Sequence, residues 1–234
     1  VHKVAGAAAA SGASLARVLE EANGAASAIG TMGVALTSCT LPGQPSSARL
    51  GPGEMEIGLG IHGEPGVAKQ PAAGATDVMR QVVAKLTEGP HAERLGLQRA
   101  APGRGARLAV LLNNAGGTPW LELLVCARVA AEQLRAAGHI VERFYAGHFL
   151  TSLDMEGIAL SCFRLDGPGG AGGGAQAALN LARLDAPTSA PGWPSAAPAA
   201  ATAPVAAQTL AYSGGGGGGG GAEAAGARGG SGGG

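Results

Sequence analysis

Residues 107–145 read RLAVLLNNAGGTPWLELLVCARVAAEQLRAAGHIVERFY, and the order of patterns in them decides the fold class. Residues 107–112 are a nearly unbroken apolar run of strand length. Two asparagines and two glycines at 113–117 make a turn, and Thr118-Pro119 offer an N-cap followed by a proline at the first helical position. The helix that follows runs to Gly138, with Leu121, Leu124, Val125 and Val129 as its predicted buried face. A further strand is read at 140–145.

Working outward, the same alternation recurs. Leu15, Val18, Leu19, Ala22 and Ile29 predict a helix over 14–29 with Ser14 as N-cap. Residues 32–36 form a short apolar strand, broken by Cys39-Thr40-Leu41-Pro42-Gly43 into a turn-rich excursion that lasts to Gly53. Met55, Ile57, Leu59 and Ile61 alternate with charged or small residues, the period of a half-buried strand over 54–61. Glycines and prolines make 63–74 a loop. Thr76 then caps a helix with Met79, Val82, Val83 and Leu86 on one face, which Gly89-Pro90 ends. A last strand is read at 158–165. Helices alternating with strands give the class α/β, a mixed sheet with helices packed on it.

The 234 residues contain 43 glycines, 21 of them in the last 68 positions, including an unbroken run from Gly214 to Gly221. This density cannot bury enough apolar area to offset the entropy of ordering. The chain therefore divides into one folded unit over 1–166 and a disordered Gly-, Ala- and Pro-rich tail over 167–234, within which 175–184 has the composition of a short helix. The chain opens on Val1 with Val1-His2-Lys3-Val4, which reads as the middle of a strand and marks the chain as a fragment.

Composition excludes several function classes. Sixteen basic and sixteen acidic residues balance, with no basic run or aromatic stripe of the kind nucleic acid requires. Three widely spaced cysteines, Cys39, Cys126 and Cys162, suggest neither a disulfide framework nor a C-x-x-C site and fit a reducing compartment. No stretch has the length and apolarity of a membrane span or a signal peptide. The expected location is the cytoplasm.

Of five histidines, His62 stands where a strand gives way to a glycine-flanked loop, Gly58-Leu59-Gly60-Ile61-His62-Gly63-Glu64-Pro65-Gly66. Small neighbours let a ligand approach the imidazole, and strand ends in α/β sheets are where ligands gather. Simple capping of a strand by the histidine is the competing reading. The turn at 113–119 joins a strand to a helix N-terminus that can hold an anion, but it lacks the phosphate-loop and dinucleotide patterns, so a tight turn is the stronger reading. Ser152 has no nucleophile-elbow setting. His91 and His139 read as solvated loop residues.

Several segments in order, Val1 to Ala9, Thr31-Met32-Gly33-Val34-Ala35-Leu36, Ser38 to Gly43, Glu54 to Gly66, Asn113 to Pro119, Thr151 to Gly157 and Leu184 to Thr188, resemble the substrate-binding (DhaK) unit of dihydroxyacetone kinases. The resemblance spans nearly all of residues 1–166 and 184–194. It implies the second subdomain of that unit. It also implies that His62 stands at the family's substrate histidine, whose ring nitrogen adds to the ketone carbon to give a covalent hemiaminal. The first half of the unit, with its G-S-G-H-E-P motif and acidic residue, has no counterpart here, and neither has the helical DhaL domain that binds ATP and magnesium. The resemblance thus implies a kinase acting on dihydroxyacetone, with glyceraldehyde as a further substrate. ATP and Mg²⁺ would be held by a DhaL-type domain supplied in cis or in trans, and the chain alone would be inactive. It also suggests a homodimer. A non-catalytic regulator or carbonyl-ligand sensor that keeps the same site is the alternative.

Overall fold

The alanine-rich start of the chain is helical, not extended. In the computed structural model, which describes residues 1–45, 49–59 and 65–193, His2–Ala10 forms helix α1 with Val4 and Ala8 buried one turn apart. The strand expected at Val1 to Val4 is thereby corrected: a run of alanines has the highest helix propensity of any residue, and two buried contacts suffice to seat it. Helix α2, Leu15–Ser27, starts where expected, with the Ser14 hydroxyl accepting the Arg17 N–H. Its orientation differs from the expected one, because Leu15 and Leu19 are exposed while Glu21 and Ala25 face inward.

Strands β1 (Ile29–Ala35) and β2 (Glu54–Ile57) follow. The strand expected over 54–61 stops at Ile57 because Gly58 takes a positive φ of 81°; Gly60 and Ile61 lie outside the described residues. The expected loop at 63–74 contains β3, Ala68–Pro71, an edge strand in which Pro71 needs no ladder N–H. Helix α3, Ala75–Thr87, buries Met79, Val82, Val83 and Leu86 as expected. Gly89-Pro90 both ends it and opens α4, Gly89–Leu95, since a proline in the first turn costs no hydrogen bond. Then come β4 (Arg107–Asn114), α5 (Trp120–Ala136), β5 (Ile140–Gly147), β6 (Gly157–Arg164) and α6 (Gly173–Asp185).

The six strands form one mixed sheet in the order β3-β2-β1-β6-β4-β5. Only β4 and β5 are parallel, joined by the α5 crossover, and β6 lies antiparallel between β1 and β4. On one face Val34, Leu108, Val110, Leu112, Leu160 and Cys162 pack against α3, α4 and α5. On the other, Ile29, Ala109, Phe163 and Leu165 meet Val4 of α1, Ala25 of α2, and Ala177 and Leu184 of α6. The packed structure therefore continues past residue 166, through α6, to Trp193.

The buried face of α5 is Leu123, Cys126, Val129, Ala130 and Leu134. Of the expected four, Leu121, Leu124 and Val125 are exposed at 76%, 53% and 43%. The helix carries large apolar residues nearly all round its first turns, so periodicity alone does not fix its phase; the junction does. Pro119 occupies the N-cap position, and Thr118 is used elsewhere, its hydroxyl donating to Gly157 O and accepting the Gly157 N–H, both at 2.9 Å.

His139 corrects another expectation. It is 3% exposed, accepting the Ala106 N–H at Nδ1 (3.1 Å) and donating from Nε2 to Leu97 O (3.0 Å). A ring nitrogen that accepts cannot be protonated, and burial pushes the pKa below the ordinary 6.5. A depressed histidine pKa stabilises the fold above the unfolded value and loses that contribution as pH falls through the folded one. Stability of the wild type is therefore expected to fall as pH is lowered below the ordinary 6.5, and to fall less in His139→Gln. Urea midpoints on the two sides of that value measure it, and equal falls for both proteins would remove His139 from the account.

Candidate functional site

The described residues show how the loop at 58–66 is rooted. The Gly58 N–H donates to Gly33 O (2.7 Å), and the Val67 N–H returns to Ile57 O (2.7 Å). A Cβ on Gly58 would stand 2.9 Å from Val67 Cγ2, and one on Gly66 would press on Ile57 O and lie 2.8 Å from Glu56 Cγ. Gly58 and Gly66 therefore serve the close approach of the two ends of the loop. His62, Gly60 and Gly63 lie outside the described residues, so the space expected around the imidazole has no description here.

Glu56 anchors the returning end. Its side chain is 3% exposed, and its carboxylate accepts from Arg49 Nε (2.9 Å) and Nη2 (2.7 Å) and from the Gly66 N–H (2.6 Å). Lys69, its cross-strand partner on β3, donates to Arg49 O at 2.6 Å. The guanidinium hydrogen bonds outweigh the cost of burial and hold the Glu56 pKa at about 2, so the group is an anion throughout the working range. Sequence reading missed it because Glu56 occupies a polar slot of an alternating strand, a position that ordinarily faces water. The only available signal was its distance of ten residues from Gly66, which a hairpin converts into contact.

The turn after β4 is a self-contained scaffold. Asn113 accepts the Phe149 and Leu150 N–H groups and donates to Leu150 O, and Asn114 accepts from Gly116 and Thr118. The Ala115 and Gly117 N–H groups go to Gly157 O and Met155 O. Every N–H from 115 to 118 is thus committed, and none is left for a phosphate. Ser152 is likewise occupied: its hydroxyl donates to Ala115 O and accepts the Met155 N–H. The neighbouring loop is tied down by Asp154, which accepts the Thr40 N–H at 2.7 Å; that bond chiefly lowers its pKa.

Among the described residues no three His, Cys, Asp or Glu side chains stand together as metal ligands, and no helix is long and apolar enough to cross a membrane. A groove of about 660 Å³ lies over the second face of the sheet, walled by Tyr145, Phe149 and Trp193 and floored by Thr31, Leu111 and Ser161. None of the described residues of the 58–66 loop lines it.

Residues 1–192 match the sequence model of the Dak1 domain. A tomato (Solanum lycopersicum) protein provisionally named 3,4-dihydroxy-2-butanone kinase is 48% identical over 198 residues, 83% of this chain and 30% of its own length. The dihydroxyacetone-binding subunit DhaK of a PTS-dependent dihydroxyacetone kinase from Listeria innocua is 35% identical over 168 residues, 71% of this chain and 48% of its own. Among solved structures, the dihydroxyacetone kinase operon co-activator Dha-DhaQ superposes with a TM-score of 0.69 at 29% identity, covering 82% of this chain and 54% of that one. The C. freundii dihydroxyacetone kinase in complex with AMP-PNP and Mg²⁺ gives 0.63 at 32%, over 79% and 30%. The chain spans about a third to a half of the length of these proteins.

Proposed function

The chain belongs to the Dak1 domain family, and from that membership we propose that it is the ketone-holding part of a kinase that phosphorylates dihydroxyacetone, and glyceraldehyde, with ATP. His62 is the residue that holds the substrate. The match to a family whose Listeria relative is named as the dihydroxyacetone-binding subunit carries the reading. In the chemistry proposed, the unprotonated nitrogen of a neutral imidazole adds to the ketone carbon. A C–N bond forms, the carbonyl π bond opens, and the proton of the other ring nitrogen ends on the new hydroxyl. The hemiaminal selects a ketone or aldehyde over an alcohol such as glycerol and fixes the terminal hydroxyl for phosphoryl transfer.

ATP and Mg²⁺ do not fit the described residues. The N–H groups of the turn at 115–118 have internal partners, and no carboxylate cluster is available for the metal. We assign both to a DhaL-type part of the parent enzyme, joined in cis or in trans, with the Ala- and Pro-rich residues after Trp193 as tether. A cytoplasmic homodimer is part of the same reading.

Two measurements test it. With dihydroxyacetone labelled in its carbonyl carbon, ¹³C NMR of the 234-residue chain should show a protein-bound tetrahedral carbon, and native mass spectrometry one added substrate. Both signals should vanish in His62→Ala, and their persistence there would overturn the site. Supplied with Mg-ATP alone, the chain should give no turnover, because phosphoryl transfer needs positioned phosphates and metal charge. A second reading, a carbonyl-ligand sensor, draws on the likeness to the operon co-activator. It predicts the adduct but no phosphorylation with any added ATP-binding domain.

A further inference from the structure

We infer that the outward face of α5, together with two leucines of the loop after β5, is the surface on which a second copy of this chain docks. The inference rests on the reading above only for the homodimer, to which it gives an interface, and not for His62. Leu121, Leu124 and Val125 are exposed on the side of α5 opposite Leu123, Cys126 and Ala130, which fill the core. A helix that packs one face on a sheet ordinarily turns charge to water on the other, and a helix apolar on both faces is one that is covered on both. Trp120 extends the face. Exposed itself, it meets His148 edge-on with ring centroids 5.4 Å apart, and so joins α5 to the loop that carries the exposed Leu150 and Leu153. These six side chains leave on the order of 600 Å² of apolar surface open, the upper end for a typical monomer and near the roughly 800 Å² that each partner of a standard interface buries.

The surface is held in place before a partner arrives. Asn113 accepts the Leu150 N–H (2.8 Å) and donates to Leu150 O (2.7 Å). Leu153 stands between Ser152, which donates to Ala115 O, and Asp154, which accepts the Thr40 N–H. Fixing the backbone beneath both leucines leaves little ordering entropy to oppose binding. Charge decides which partner fits. At the N-terminal end of the patch stand the exposed Glu122, Asp154 and Glu156, the last two so close to Gly117 that a Cβ there would press on them. About 12 Å along the helix stand Arg128 and Arg135, with Glu132 paired to Arg128 at 3.3 Å. A two-fold axis passing between Leu121 and Leu124 lays two copies of α5 antiparallel and sets the acidic end of each against the basic end of the other. A closed dimer uses one patch twice and needs this self-complementarity.

Sedimentation equilibrium of the 234-residue chain is the test. The wild type is expected to run as a dimer at micromolar concentrations. Leu124→Arg on α5 and Leu153→Arg on the loop are each expected to raise the dissociation constant by about 30-fold or more, the effect of losing one interface hot spot. Leu19→Arg, which charges a comparably exposed leucine on α2 outside the patch, should leave the mass unchanged. Leu124 and Leu153 are both largely exposed in their own copy, so both variants should unfold in urea like wild type diluted to the monomer. If one of them does not fold, the other decides. A dimer that persists in both variants overturns the surface and leaves the homodimer standing, as does equal dissociation in Leu19→Arg. A wild type that stays monomeric overturns both.

Discussion

Replacing Glu21 by Ala is expected to cost about 3–5 kcal/mol, the range for breaking one partner out of a buried ion pair. Glu21 is 3% exposed on its side chain and meets Arg183 of α6, itself 18% exposed, at 2.9 Å and 3.1 Å, and Arg17 of its own helix at 3.0 Å. Arg183 also donates to Ser11 Oγ and Ala7 O. The Glu21–Arg183 pair thus joins α1, α2 and α6, the three helices on the second face of the sheet. Removal of the carboxylate leaves a guanidinium in a partly dry site with fewer acceptors. For a domain of this size the loss corresponds to a melting temperature lower by about 6–20 °C. The double variant Glu21→Met with Arg183→Met is expected to be less destabilised than Glu21→Ala alone, because no charge is stranded. A loss below about 1 kcal/mol for Glu21→Ala would show the pair to be an ordinary surface bridge. Acid acts in the same direction. The Arg183 hydrogen bonds chiefly lower the Glu21 pKa from its ordinary 4.5, so its contribution is complete above that value and is lost as pH falls through the lower folded one.

Leu160→Ala is the second large effect, at about 2–5 kcal/mol. Leu160 is fully buried at the centre of β6, level with Met32 on β1 and Leu112 on β4, so neither neighbouring strand can close the void without breaking register. Leu121→Ala on α5 is the informative contrast. The helical period in the sequence puts Leu121 on the buried face, but it is 76% exposed, so its truncation should stay within about 0.5 kcal/mol. Urea denaturation of both variants reads the difference directly. A Leu121 cost as large as that of Leu160 would mean that the packing of α5 follows the sequence period after all.

Most of the elements, α1, β3 and α4 apart, were legible because their signals are local. Ser14 as N-cap, the apolar run at 107–112, the Asn-Gly turn after it and the stripe of Met79, Val82, Val83 and Leu86 each depend on residues within a turn or two. The faces of α2 and α5 were not legible. Leu15, Leu19, Leu121 and Leu124 satisfy the period as well as the residues that are buried, and the choice between the two sets lies with partners far along the chain, Arg183 for α2 and Gly157 for the entry to α5. Strand β3 escaped because its ladder with β2 is all that makes Ala68–Pro71 extended.

The candidate site divides in the same way. The sequence by itself determined the α/β class, most of the helices and strands in their order, and the glycine-flanked motif that contains His62, because these follow from composition, period and a run of adjacent residues. Only the tertiary structure decided that Glu56 is buried, that Arg49 and Gly66 meet it, that the N–H groups of the turn at 115–118 are all engaged, and that His139 is dry and neutral. These are contacts between residues separated by up to about forty positions, and burial of a polar group is a property of what surrounds it, which no local pattern encodes.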